Sequence, residues 1–146
     1  LAVVLSFYGG NSAFAAPKVD PAEKYFQEGN AHATKSEFQK AIDAYKKAIK
    51  FDAKSASIHY NLANVLIATN QVDEAIKEYN IAIELNPLIP DFHRNLGFAY
   101  AVKRDGKKAK EKYEALKILS PKHAEELMLW IKTENEQLQP AKTQKK

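Results

Sequence analysis

From Pro21 to Leu138 apolar residues recur at intervals of three and four, the spacing that lines one face of an α-helix, and short polar turns break the runs. Leu62 and Leu66 stand one helical turn apart, as do Ala75 and Tyr79, with Ala82 three residues further on. Lys35-Ser36, Asn70-Gln71 and Asp105-Gly106 mark tight turns, while Asn86-Pro87 and Ser120-Pro121 mark points where proline stops one helix before the next begins. The pattern predicts helices over 21–34, 37–51, 56–69, 72–85, 90–104, 106–119 and 122–138. Strand formers do not cluster in this span, so the fold class is all-α.

These helices repeat with a period of 34 residues, which links Ala41, Ala75 and Ala109, and likewise Tyr45, Tyr79 and Tyr113. Tyr25, His59 and His93 keep the same step, as do Ala48, Ala82 and Leu116, and Pro87 with Pro121. Each period holds a first helix (A) that presents Leu and an aromatic, and a second (B) that presents Ala, then Tyr, then a small residue. Small residues let two helices approach closely, and the aromatic fills the neighbouring hole. One pair cannot bury its apolar face alone, so stacked neighbours must share a core, and Tyr45, Tyr79 and Tyr113 are expected to point into it.

The stretch from His123 to Leu138 falls outside the repeat. It sets Leu127, Trp130 and Ile131 on one face and Glu125, Glu126, Lys132 and Glu136 on the rest. That is the pattern of a capping helix, over 122–139, which covers the last repeat, presents a polar outer face and partly buries Trp130.

The repeated residues resemble the tetratricopeptide repeat family, whose pattern runs W-x2-L-G-x2-Y, then A-x3-F, a small residue, and P. The middle copy fits best, with His59, Leu62, Ala63, Leu66, Ala75, Tyr79, Ala82 and Pro87. The third keeps Leu96, Gly97, Tyr100, Ala109, Tyr113 and Pro121, with Leu116 for the small residue. The first departs most, carrying Glu28, His32 and Ala53 at pattern positions. The resemblance implies a right-handed α-solenoid of three repeats, 22–55, 56–89 and 90–121 within 21–121, followed by the cap.

It also implies that the A helices line a concave face where protein partners bind. Carried over by position, the groove would hold Phe26, Gln27, Asn30 and Ala33 from the first repeat, Tyr60, Asn61, Asn64 and Ile67 from the second, and Arg94, Asn95, Phe98 and Val102 from the third. Gln27, Asn61 and Asn95 would stack as a ladder of side-chain amides that can donate to and accept from peptide backbone, with Phe26, Tyr60 and Phe98 supplying apolar contact. Some family members grip chaperone carboxy termini with two Lys, two Asn and an Arg. Here Asn30 and Asn61 match the asparagines, but Phe26, Asp91 and Asn95 replace the cations, leaving Arg94 as the groove cation for at most a single acidic group.

The function expected is therefore a scaffold or adaptor that binds a protein or peptide partner. The alternative is a structural subunit that self-assembles, or joins a larger complex, through its convex faces. Catalysis is not expected, because no Gly-rich phosphate loop, G-x-S-x-G or H-E-x-x-H is present. No cofactor, metal or small-molecule substrate is expected either. His59 and His93, one period apart, lack a third ligand of suitable spacing for zinc. With no cysteine there is neither disulfide nor thiolate chemistry.

The net charge of +4 gathers in a lysine-rich stretch over 103–122 and in Lys142, Lys145 and Lys146. Only one aromatic, Tyr113, falls within the 103–122 stretch, so a solvated face fits these lysines better than a nucleic-acid surface. Residues 140–146 are expected to form a disordered basic tail.

At the other end, the apolar run Leu1–Tyr8 precedes Ala13-Phe14-Ala15, an A-x-A pattern that resembles a signal peptidase site with cleavage after Ala15. Residues 1–15 are thus read as part of a signal peptide and 16–20 as a linker. The expectation is export to a bacterial periplasm, with no stable membrane span in the mature chain.

Overall fold

The computed structural model describes residues 19–137, with side chains to Thr133; the expected signal peptide and basic tail lie outside the described residues. Among the described residues there are seven helices and no strand: α1 (Pro21–Thr34), α2 (Phe38–Phe51), α3 (Ala56–Ala68), α4 (Val72–Leu85), α5 (Pro90–Val102), α6 (Gly106–Leu119) and α7 (Pro121–Gln137). They pair as α1 with α2, α3 with α4 and α5 with α6, and each pair packs on the next.

Helix ends follow backbone chemistry. Asp20 caps α1 by accepting from the Ala22 amide at 3.0 Å, and Asp105 caps α6 by accepting from the Lys108 amide at 3.1 Å. Proline opens α1 and α5, where its missing N–H costs nothing. Pro121 also begins α7 rather than merely ending α6.

Each A-to-B turn places one residue in the left-handed region: Ser36 (φ 58°), Asn70 (φ 61°) and Arg104 (φ 62°), again one period apart. The following amides, of Glu37, Gln71 and Asp105, reach back to the carbonyls of His32, Leu66 and Tyr100 at 2.9, 2.8 and 2.8 Å. These are Schellman motifs, and they end α5 two residues before the sequence pattern does. Gly106 is the first residue of α6, as the 106–119 helix predicted, and has no positive φ.

The core is the sequence period made solid. Ala41, Ala75 and Ala109 are wholly buried, as are Ala48, Ala82 and Leu116. Around them Ile42, Tyr45, Leu62, Leu66, Tyr79 and Leu96 form one continuous apolar interior. Close approach matters most at Gly29, where an added Cβ would stand 2.5 Å from the Tyr45 ring. Gly97 likewise lets Leu127 of α7 sit against α5, where a Cβ would meet Leu127 Cδ2 at 2.4 Å.

The α7 helix packs on α5 and α6, burying Ala124 and Leu127 against Leu116. Tyr113 is half-buried against this second cluster, less enclosed than Tyr45 and Tyr79. Trp130 meets Phe98 with ring centroids 5.4 Å apart, as the capping role requires. The outer face of the cap is less polar than its sequence pattern implied, since Leu129 is 65% exposed.

Candidate peptide-binding groove

The three A helices α1, α3 and α5 are neighbours in space, and the side chains facing away from their B partners line one surface. Two asparagines of successive A helices meet there and are held by a tyrosine from below. Asn61 Nδ2 donates to Asn30 Oδ1 at 3.0 Å, and the Tyr45 hydroxyl donates to the same oxygen at 2.7 Å. One period later Asn95 Nδ2 donates to Asn64 Oδ1 at 2.9 Å, joined by the Tyr79 hydroxyl at 2.6 Å. Burial holds both phenols above the ordinary tyrosine range, so they stay protonated and keep donating.

This arrangement corrects the expected ladder. Asn61 and Asn95 are spent in part on Asn30 and Asn64, so the pairs stitch adjacent repeats together. Gln27 does not join them: its amide donates to Glu23 of its own helix at 2.6 Å, in the exposed first turns of α1. The acceptor for its position would come from a preceding A helix, and none stands among the described residues.

Above the stitched pairs lie two pockets in the same repeat register. The first, about 380 Å³, is lined by Asn30, Ala33, Thr34, Tyr45, Asn61, Asn64 and Val65. The second, about 170 Å³, is lined by Asn64, Ile67, Tyr79, Asn95, Phe98, Ala99 and Val102. Going from the first to the second, Ala33 is replaced by Ile67, Asn64 by Phe98 and Val65 by Ala99, each 34 residues on. The second pocket is thereby smaller and more apolar.

The aromatics stand close to their expected places. Phe26 lies against Tyr45 at 6.1 Å, and Tyr60 lies between Tyr79 at 5.9 Å and Phe92 at 4.7 Å. The Tyr60 hydroxyl also accepts from Asn95 Nδ2 at 3.0 Å. Phe98 forms a wall of the second pocket and is backed by Trp130.

Arg94 is the residue whose expected role changes most. Its guanidinium meets Asp91 Oδ1 at 2.6 Å and Glu126 Oε2 at 3.0 Å, and its Nε donates to Asn95 Oδ1 at 3.3 Å. Glu126 comes from the cap, which the repeat pattern could not place. With two carboxylates already bound, Arg94 is not an open cation for a ligand carboxylate.

The contributions of Thr34, Tyr45, Val65, Tyr79 and Ala99 to the groove were missed at the sequence level. A signal for the tyrosines existed: Asn30 to Tyr45 and Asn64 to Tyr79 are both separations of 15 residues.

A family model described as TPR repeat matches residues 29–69 and 63–103. The chain belongs to the tetratricopeptide repeat family. That family is a protein-interaction scaffold, and its A helices are the ones that carry the pockets here.

Among relatives of this tetratricopeptide repeat chain, the photosystem I assembly protein Ycf3 of Rippkaea orientalis is 28% identical over 100 residues, covering 66% of this chain and 57% of that one. The chain thus spans little more than half the length of that relative. Among solved structures, the TPR2B domain of the TPR2B-domain:pHsp70 complex of yeast Sti1 superposes with a TM-score of 0.71 at 25% identity, over 80% of this chain and 98% of that one. The first TPR of Spaghetti (RPAP3), bound to the HSP90 peptide SRMEEVD, superposes with a TM-score of 0.72 at 23% identity, over 77% and 91% respectively.

The two A-helix histidines have structural partners. His59 Nε2 donates to the Ala53 carbonyl at 3.1 Å and His93 Nε2 to the Pro87 carbonyl at 2.8 Å, tying each A helix to the loop before it. His59 Nδ1 donates to Glu78 Oε2 at 2.6 Å, and this carboxylate raises the imidazole above its ordinary pKa despite burial. Among the described residues no group of three His, Cys, Asp or Glu side chains could hold a metal ion.

Proposed function

We propose that the chain is a non-catalytic adaptor that holds an extended peptide segment of a partner protein along the groove of α1, α3 and α5. The observation that carries this reading is the pair of pockets in repeat register, each floored by an asparagine pair and a buried tyrosine. A surface that repeats at the spacing of the helices suits a ligand that is itself extended and periodic. The HSP90 peptide bound by the RPAP3 domain and the pHsp70 complex of the Sti1 domain support the same use of this fold.

Affinity capture with the full chain, compared with a groove variant, tests the reading. Tyr60→Ala with Asn64→Ala removes groove surface, but it also unpairs the Tyr79 hydroxyl and the Asn95 amide, which would loosen the fold. Val102→Glu is the better variant, because Val102 is 45% exposed at the mouth of the second pocket. Loss of a captured partner with Val102→Glu, at unchanged helicity, is the expected result; equal capture removes the groove from the account.

Self-assembly is the second reading, and exposed apolar residues favour it: Ile118 of α6 is 87% exposed and Leu129 of α7 65%. Light scattering separates the two, since a monomer at high concentration rules out self-assembly.

Export to a bacterial periplasm is proposed from the A-x-A pattern at Ala13-Phe14-Ala15. Among the described residues no helix is long and apolar enough to cross a membrane. Amino-terminal sequencing of the protein from cells is expected to begin at Ala16; recovery of Leu1 contradicts export with cleavage.

A further inference from the structure

We infer, on the basis of the groove reading above, that the occupant is an uncharged extended peptide segment with an aliphatic side chain that enters the pocket between Ile67, Phe98 and Val102, and not an acidic carboxy terminus. Charge carries the first part of the argument. Neither pocket is lined by an Asp, Glu, Lys, Arg or His, and the tyrosines on their floors are held neutral by burial. Arg94, which reaches the groove floor at Asn95 through its Nε, already faces Asp91 and Glu126. A carboxylate entering here would give up hydration and find no open counter-charge.

Hydrogen-bond accounting carries the second part. The Oδ1 atoms of Asn30 and Asn64 each accept two bonds, from a tyrosine hydroxyl and a neighbouring asparagine. An amide oxygen has two lone pairs, so both are full. The Nδ2 groups of the same residues have no acceptor among the described residues, and both residues line the pockets. What remains on offer is therefore a pair of neutral donors, which suits the main-chain carbonyls of a peptide.

Shape carries the third. Adjacent helices lie about 8–10 Å apart, a distance an extended chain covers in about three residues at ~3.3 Å each. One segment can thus place a small or polar side chain in the roomier pocket and an aliphatic one in the next. The second pocket, about 170 Å³, holds roughly five or six waters at ~30 Å³ each. Ile67, Phe98, Ala99 and Val102 bind such waters poorly, so an apolar side chain displaces them favourably.

The test uses the full chain and two sets of synthetic peptides. One set is acetylated and amidated, built of Gly, Ser, Asn and Gln with a single Val, Leu or Ile at each position in turn. The other is the acidic peptide SRMEEVD with a free carboxy terminus. Calorimetry is expected to show members of the neutral set binding about tenfold or more tighter than SRMEEVD, with affinity indifferent to salt. Val102→Glu should weaken the neutral peptides by about tenfold through burial of an unpaired charge. Asp91→Asn with Glu126→Gln, which frees Arg94, should raise the affinity for SRMEEVD severalfold.

Tighter, salt-sensitive binding of SRMEEVD by the unaltered chain overturns the proposal, and so does absence of binding by every neutral peptide. Indifference of the neutral peptides to Val102→Glu overturns it as well. An acidic peptide that binds and perturbs the amide signals of α1, α3 and α5 leaves the groove reading standing while this specificity falls. A bound peptide that perturbs only α2, α4 and α6 removes both.

Discussion

The Tyr79 hydroxyl donates to Asn64 Oδ1 at 2.6 Å, and through that oxygen a B-helix core residue holds the amide that joins α3 to α5. The same bond joins Tyr45 to Asn30 one repeat earlier. In the third repeat the asparagine position is taken by Phe98, and the row ends where Trp130 of the cap covers it. Floor and core are therefore one structure.

Two substitutions separate the parts of that bond. Tyr79→Phe removes the donor and is expected to cost about 1 kcal/mol in urea denaturation. Asn64→Ala leaves the buried hydroxyl and Asn95 Nδ2 short of an acceptor, so its cost should be larger, about 1–3 kcal/mol. A cost near zero for Tyr79→Phe would mean that the tyrosine stabilises only by packing.

Gly29→Ala should destabilise, although alanine is the better helix former by about 1 kcal/mol. Its Cβ would stand 2.5 Å from ring carbons of Tyr45, which is both buried and hydrogen-bonded to Asn30. Overpacking of this kind costs about 1–3 kcal/mol. Ala63 occupies the same place in the second repeat and is wholly buried there, so the exchange Ala63→Gly should also destabilise; thermal melts of both variants decide whether each repeat is fitted to its own residue.

Arg104 sits in the left-handed region at φ 62°, where a side chain with a Cβ costs about 1–2 kcal/mol. Asn70 has the equivalent place and pays less, because its short polar side chain tolerates that region. Arg104→Gly or Arg104→Asn is thus expected to stabilise the chain by about 0.5–1 kcal/mol, read as a rise in the denaturation midpoint. A fall would show that the arginine side chain has a contact that outweighs its backbone strain.

His59 predicts a pH dependence with a definite sign. Glu78 raises its folded pKa above the ordinary 6.5, with Asp52 adding to the effect, so the folded state holds the proton more tightly than the unfolded chain. The stabilisation is complete below about pH 6.5 and is lost as pH rises through the raised folded value. Stability measured from pH 6 upward should decline, and Glu78→Gln should flatten the decline. A slope unchanged in Glu78→Gln would place the titrating group elsewhere.

Much of this was legible in the sequence because the repeat is a packing code: Ala41, Tyr45, Ala48 and their counterparts one period on fix which faces meet. The placing of Asn30, Tyr60, Asn61, Asn64, Asn95 and Phe98 on the A helices followed from the family resemblance. Their pairing did not, since a period gives position but not which amide donates to which. Arg94 was misread for a related reason, because Glu126 belongs to α7, which the repeat does not contain. The left-handed residue of the third turn, Arg104, was not legible, because arginine carries no signal for positive φ.

The central claim is that something extended lies across α1, α3 and α5. Nuclear magnetic resonance of the isotopically labelled full chain, titrated with the tightest-binding blocked peptide, tests it most directly, because the Nδ2 signal of Asn30 reports on the first pocket, the indole signal of Trp130 on the second through Phe98, and the Nδ2 signal of Asn64 on both. The account predicts shifts at Asn30, Asn64, Ile67 and Val102, with Trp130 responding through Phe98. Shifts confined to α2, α4 and α6, with both asparagine amides unmoved at saturation, would contradict it.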